Sequence, residues 1–266
     1  MPRPDADEAV LSTLLAIDRS DRWTLDGALQ LDFDAGHPQG MVLLDGTWWI
    51  TSVDLRSSTG WLLAADATGD LLARWPCGDA DRFHPGGIDA GAGGSLWLAA
   101  AEYRPASTTD VYQQAPGGAA AHRFRHPDHL GALAPAGDGS LVAWTWGSRE
   151  LLRLAPDGTV LLRRTNPSHY VDHQDLHVLA TGHVVCTGVG RALERGGRKL
   201  GGIGVLRLED LAWVAELPFP GYSPTTGQVG TYNPMHLDVV DGRLRVHLLP
   251  DQDRAAIFTW STPLLA

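Results

Sequence analysis

Cysteine occurs only twice in these 266 residues, at Cys77 and Cys186, and neither falls in a metal-binding or redox spacing. No zinc ribbon or dithiol motif is therefore present, and both thiols are expected to be reduced and buried. Basic charge is scarce as well. Twenty-one Lys and Arg stand against 31 Asp and Glu, a formal net charge of −10. Because nucleic-acid binding rests on clustered cations, no nucleic-acid partner is expected. No apolar run approaches the length of a membrane-spanning helix, and the opening MPRPDADEAV lacks the apolar centre of a signal peptide. Together these predict a cytoplasmic protein without a membrane partner. No nucleotide-cofactor motif occurs either. The sequence is silent on oligomeric state.

What the chain does contain is turn and strand chemistry. Ten Trp, 31 Gly and 17 Pro suit short strands joined by tight turns better than a helical fold. One phrase recurs five times: HPQGMVLL from His37, HPGGIDAG from His84, DHLGALAP from Asp128, DHQDLHVL from Asp172 and NPMHLDVV from Asn233. A small turn and an apolar strand follow each time. The spacings are 47, 44, 44 and 61 residues, a period characteristic of β-propeller blades. An all-β, five-bladed propeller is the predicted fold.

The first unit lays out a blade, with strands expected near Gly40–Leu44, Trp48–Val53, Trp61–Ala65 and Leu71–Trp75. The last unit runs out one strand short, while TLDGALQLDF near the N-terminus has no unit of its own. That N-terminal strand is predicted to complete the last blade and close the ring, protecting sheet edges that would otherwise be open. Before it, Asp5 to Ile17 carries a helical pattern with Val10, Leu14 and Ile17 on one face. The organisation read from sequence is thus a helical segment, 1–22, and one propeller domain, 23–266. The fourth unit is the longest. Its excess falls at 190–202 and 219–234, and both stretches are candidate lids.

Strands within a blade alternate in direction, so each opening polar residue shares a face with the loop between the second and third strands. Those loops carry Arg56, Arg104, Arg149, Arg191 and Arg254, with Glu102, Trp146, Asp251 and Asp253. The opening phrases add His129 and His173, and NPSHY adds His169 and Tyr170. A polar site at the channel mouth follows. The recurring arginines fit either ion pairs that tie the structure together or recognition of an anion. His37 and His84, each before a proline, fit either a bond to a loop carbonyl or a site role. Asp89 and Asp238, inside their strands, read as blade-stabilising.

Three chemistries fit this set. His37, His84, Asp128, Asp172 and Asn233 offer a ring of mixed N and O donors for one divalent metal. Zinc, iron or manganese would suit the mixed set and calcium an all-oxygen one. Such a metal would activate water for lactone or ester hydrolysis, and this is the favoured expectation, although no HExxH motif occurs. Alternatively, His129, His169, His173, Tyr170 and Glu102 supply acids and bases, with Arg104, Arg149, Trp146 and Arg254 binding substrate, for a metal-free isomerase or cyclase. Ser148, in WGSR, is the only serine placed near these bases. The third option is a non-catalytic platform for a small ligand or peptide. In the catalytic readings the substrate is a small anionic or carbonyl-containing molecule.

The set HPQGM, HPGGID, EYRP, DHLGALA, WGSR, NPSHYVDHQD and NPMHLD resembles a family of bacterial β-propeller proteins with no established activity. The resemblance runs from His37 to Trp260 and implies a shared fold and site. The chain departs from that family's pattern in reading DHLGA for DHIGG, YNP for QNP, and PDQDRA for a PEDDRS-like segment, where Gln252 replaces an acid. More distantly, HPGGID is similar to the repeats of lactonase and strictosidine-synthase-like propellers, a likeness of fold alone.

Overall fold

The computed structural model describes residues 4–18, 20–115, 118–167, 171–190 and 199–265. Twenty strands form five four-stranded antiparallel sheets, the blades of a propeller. Blade 1 holds β2 (His37–Leu44), β3 (Thr47–Asp54), β4 (Thr59–Ala65) and β5 (Leu71–Cys77). Blade 2 holds β6 (His84–Ala90), β7 (Leu96–Ala101), β8 (Thr109–Gln114) and β9 (Ala120–His126). In blade 3 they are β10 (Leu130–Pro135), β11 (Leu141–Thr145), β12 (Glu150–Leu154) and β13 (Val160–Thr165). In blade 4 they are β14 (Val171–Leu179), β15 (His183–Gly190), β16 (Leu200–Arg207) and β17 (Trp213–Phe219).

Blade 5 contains β18 (Met235–Val240), β19 (Arg243–Leu248) and β20 (Ala256–Pro263), and its fourth strand is β1 (Thr24–Gln30). β1 pairs antiparallel with β20 from Thr24↔Ser261 to Gln30↔Ala256, across a bulge between Leu25 and Gly27. The N-terminal strand therefore closes the ring, as the missing strand of the last repeat predicts.

Burial follows position within the blade. Second and third strands pack on both faces, and β7 (LWLAAA) is buried throughout. The outermost strand β17 alternates half-buried and exposed residues, the pattern of a sheet with one face on solvent. There is no single core. Five separate apolar clusters form, one at each junction between neighbouring blades. Trp144, packed between blades 3 and 4, is the largest of the fully buried side chains. Both cysteines are free and buried, and burial pushes the Cys77 thiol up to about 12, so neither is poised for redox chemistry.

The helix α1 (Pro4–Ala16) is not a detached appendage. Val10, Leu11 and Leu14 insert into the cluster between blades 4 and 5, against Leu179, Val185, Phe219 and Met235. Asp7 accepts a hydrogen bond from the Ala180 amide at 2.7 Å, and Thr13 Oγ1 accepts one from the Leu265 amide at 3.2 Å. The helix thus fastens to both a blade-4 turn and the C-terminal segment. None of the helices among the described residues is long and apolar enough to cross a membrane.

At the axis, the inner strands approach so closely that side chains from one blade reach another. A Cβ at Gly87 would stand 2.5 Å from Asp175 Oδ1, so glycine on β6 is what admits the carboxylate of β14. Asp175 accepts the amides of Leu176 and Met235, both at 3.0 Å, and burial raises its pKa to about 7. Beside it, His177 Nδ1 lies 3.1 Å from Asp89 Oδ2, and His177 Nε2 lies 2.7 Å from the Met235 carbonyl. Burial opposes charge on His177, but the Asp89 carboxylate outweighs it and lifts the imidazole to about 9. Asp238, ion-paired to Arg245 and 3.4 Å from His247, has the blade-stabilising role expected of it.

Leu14 is wholly buried, and Leu→Ala at such sites costs about 2–5 kcal/mol. Leu14→Ala is expected to lower the urea midpoint by a corresponding amount with the denaturant slope unchanged. An unaltered midpoint would mean that α1 adds nothing to the blade 4–5 junction.

Candidate functional site

At the channel mouth the repeats enclose a cavity of about 340 Å³. The topological expectation holds: its wall is built from opening residues of the blades and from loops between second and third strands. His37, His84, Asp172 and His173 come from the former, and Tyr103, Trp146 and Lys199 from the latter.

The best-defined device in the wall is a chain of two imidazoles. His129 is fully buried, and its Nδ1 lies 3.0 Å from the Arg104 carbonyl. A carbonyl can only accept, so Nδ1 of His129 carries the proton. Its Nε2 is then the lone-pair nitrogen, and burial, which holds the pKa at about 4, keeps it so at neutral pH. His84 Nδ1 sits 3.2 Å from that nitrogen and must donate to it. The remaining nitrogen of His84, Nε2, therefore carries a lone pair at the cavity. Burial, then the neighbouring His129 and His37, lower the His84 pKa well below that of a free imidazole. Tyr103 and Trp146 flank the ring, with centroids 4.5 and 5.6 Å away, and Trp146 stands edge-on to His129 at 4.5 Å.

Of the residues expected to bind substrate, Trp146 lines the cavity, while Arg104, Arg149 and Arg254 lie outside its wall. Arg104 pairs with Glu102, its Nε 2.7 Å from Oε2, and Glu102 also accepts the amide and hydroxyl of Thr108. This fixes the loop that offers the Arg104 carbonyl to His129. The side chain of Glu102 is not a wall residue and is no acid for the cavity. Arg149 donates to the Trp146 carbonyl at 2.8 Å and to Asp128 at 3.2 and 3.3 Å. Arg56 likewise pairs with Asp34 at 2.9 Å. At these three positions the recurring arginines are ion-pair struts. Arg254 is exposed beyond β19 and lies outside the wall.

The five-residue donor ring does not converge. Asp128 is engaged by Arg149 and by the His129 amide. Asn233 is buried with its Nδ2 3.5 Å from the Pro250 carbonyl. His37, His84 and Asp172 do reach the wall. Among the described residues, however, no three His, Cys, Asp or Glu side chains gather in a way that could hold a metal ion. This donor set does not fit the expected metal.

His173 corrects its acid–base assignment. Its ring packs on Trp213, centroids 4.9 Å apart, and both ring nitrogens are buried without a hydrogen-bond partner. Burial holds its pKa at about 3. Ser148 is a buried strut with left-handed backbone (φ 45°), a conformation that costs about 1–3 kcal/mol in a non-glycine residue. Its Oγ accepts the His173 amide at 3.0 Å and lies 3.5 Å from Asp172 Oδ1. Asp251 is a latch for the 219–234 stretch, accepting the hydroxyls of Ser223 and Thr226. His169, Tyr170 and Arg191 lie outside the described residues, as does most of the 190–202 stretch.

Gln39, Tyr103, Gln174, Lys199 and Tyr232 are among the wall residues that the sequence does not single out. Two carried a usable signal, since Gln39 and Gln174 occupy the same column of the repeat, two places after His37 and Asp172.

A buried neutral histidine makes a protein acid-labile. Between its folded pKa, about 3, and the ordinary 6.5, His173 takes up a proton only on unfolding. Stability then falls as pH drops from about 6.5 toward 3. His177 acts oppositely: its contribution is fully present below about 6.5 and is lost as pH rises through about 9. His173→Phe, which keeps the stacked ring, is expected to flatten the acid limb of stability against pH by up to about 1.4 kcal/mol per pH unit. An acid limb of undiminished slope in urea titrations at several pH values would contradict this.

Solved structures with similar folds are distant in sequence. The tail fiber of Staphylococcus aureus phage P68 superposes with a TM-score of 0.57 at 10% identity, over 97% of this chain and 56% of that chain. A luciferin-regenerating enzyme gives 0.54 at 10% identity, covering 90% and 96%. A putative gluconolactonase gives 0.52 at 14% identity, covering 94% of each. At such identities these are likenesses of fold alone. No curated protein matches in sequence. The profile of a family of unknown function, DUF6454, matches residues 6–264, and the chain belongs to that family.

Proposed function

We propose that the protein is an enzyme that moves a proton on a small carbonyl-containing molecule held in the channel-mouth cavity, with His84 as general base. The single observation that carries this reading is the chain from the Arg104 carbonyl through His129 to His84, which leaves the lone pair of His84 Nε2 facing the cavity. The metal-assisted hydrolysis expected from sequence has less support, because its donors are engaged elsewhere.

The chemistry follows from the hydrogen bonds. A C–H next to a carbonyl gives its proton to His84 Nε2, and the electron pair moves onto the carbonyl oxygen. The imidazolium so formed keeps its Nδ1–H donated to His129 Nε2, while His129 Nδ1–H stays donated to the Arg104 carbonyl. His129 is thus a positioning residue that fixes the tautomer of His84 and shares its charge. Return of a proton from His84 to the same carbon gives exchange, and where the enolate is conjugated with a C=C bond, return to its γ-carbon gives isomerisation. Because burial holds His84 below the ordinary imidazole range, the base is fully available at pH 7. The rate is expected to stay level on acidification to about pH 6.5 and to fall only below it.

The test is incubation in D₂O with a panel of α-acidic carbonyl compounds, lactones and esters, followed by proton NMR. Loss of a C–H signal in the presence of wild type is expected, with His84→Gln slower by about 100-fold or more and His129→Gln intermediate. Turnover that survives unchanged in His84→Gln would remove His84 from the chemistry. Hydrolysis without exchange would redirect the assignment toward the lactone or ester class. Saturable binding without any turnover would favour the receptor reading.

A further inference from the structure

Lys199 is the only lysine among the chain's 21 Lys and Arg residues, and it lines the cavity. Its ammonium lies 4.5 Å from the centroid of the Tyr232 ring, a cation–π contact that holds the charge without neutralising it. Its carbonyl accepts the Tyr222 hydroxyl at 2.9 Å, so the backbone at the foot of the side chain is tied to the latched 219–234 stretch. The arginines nearest the mouth are committed elsewhere, Arg104 to Glu102 and Arg149 to Asp128. Among the described residues, Lys199 is the one ammonium or guanidinium in the wall.

The cavity is therefore polarised across the ring. On blades 2 and 3 the wall is aromatic and carries the base: Tyr103, His84 and Trp146. On the far side stand Lys199 and Tyr232, with the Asp172 carboxylate and the side-chain amides of Gln39 and Gln174. Gln39 donates to the Pro38 carbonyl at 3.0 Å and Gln174 to the Asp172 carbonyl at 3.3 Å, so each amide is anchored by its N–H. A ligand that satisfies both walls has a planar, unsaturated body for the aromatic side and one negative charge for the ammonium.

We infer that the cavity takes a small planar carboxylate, its carboxylate paired with Lys199 and its unsaturated body lying against Trp146 and Tyr103. This deepens the reading of the cavity as the site of reaction and rests on it for location only. A carboxylate at Lys199 directs the rest of the molecule across the cavity toward His84.

Reductive methylation with carbon-13 formaldehyde keeps the ammonium charged and marks only Lys199 and the chain's N-terminal amine, so one resonance reports this site. The probes are benzoate and phenylpyruvate, with benzamide as the neutral analogue. Saturable movement of the Lys199 resonance by either carboxylate is expected, with benzamide weaker by about tenfold or more. In unmethylated protein, calorimetry should show Lys199→Gln losing carboxylate affinity by at least a similar factor, while Lys199→Arg keeps most of it. Equal binding of benzoate and benzamide, unchanged carboxylate affinity in Lys199→Gln, or no binding of either carboxylate would each overturn the inference. None of these outcomes bears on the exchange measured with His84→Gln. Conversely, Lys199-dependent carboxylate binding in a protein that shows no His84-dependent chemistry would keep this inference and remove the acid–base reading.

Discussion

Each blade depends on its neighbours to bury its faces. The five apolar clusters all lie between blades, so a single four-stranded sheet would leave both of its own faces open. The ring must close for any blade to be fully covered, and the pairing of β1 with β20 is what closes it. That constraint also sets the geometry of the centre. Five inner strands are forced together at the axis, which demands glycine at Gly87 and lets Asp175 cross from the opposite blade. Asp175, His177 and Asp89 then form a packed polar floor.

Burial also decides which of the many polar side chains can act. His129 and His173 are both held neutral by desolvation, but their surroundings differ. His129 has a carbonyl on one side and His84 on the other, so its tautomer is fixed and its influence passes to a nitrogen at the cavity. His173 has only Trp213 and no hydrogen-bond partner for its ring. Residue type and spacing are the same kind of signal in both cases. What separates a hydrogen-bonded imidazole from one that only packs is its set of partners, and for His129 these come from a neighbouring blade.

This explains what was legible in the chain and what was not. Period, blade layout, the closing strand and the face of the site all follow from the repeat, because strand direction and spacing are local properties written in each unit. The partners of individual side chains are not local. Glu102 looks like a catalytic acid and Arg104 like a substrate anchor in a string of letters, and in three dimensions they pair with each other two residues apart. Asp128 looks like a metal donor and is a counter-ion for Arg149. Tyr103 lies between two residues that drew attention for their charge, yet it is the one of the three that reaches the cavity.

The seam between β1 and β20 has a further meaning for how the molecule comes into being. One partner leaves the ribosome more than two hundred residues before the other. Blades 1 to 4 can each complete their hydrogen bonding from contiguous sequence as they emerge. Throughout that time β1 is an unpaired strand with its amides and carbonyls open to other chains. Long-range pairing of this kind is slow to form, and the half-built ring exposes an apolar blade face at each end. Ring closure is thus the step that removes these aggregation-prone edges, and its rate governs how long the nascent chain carries them.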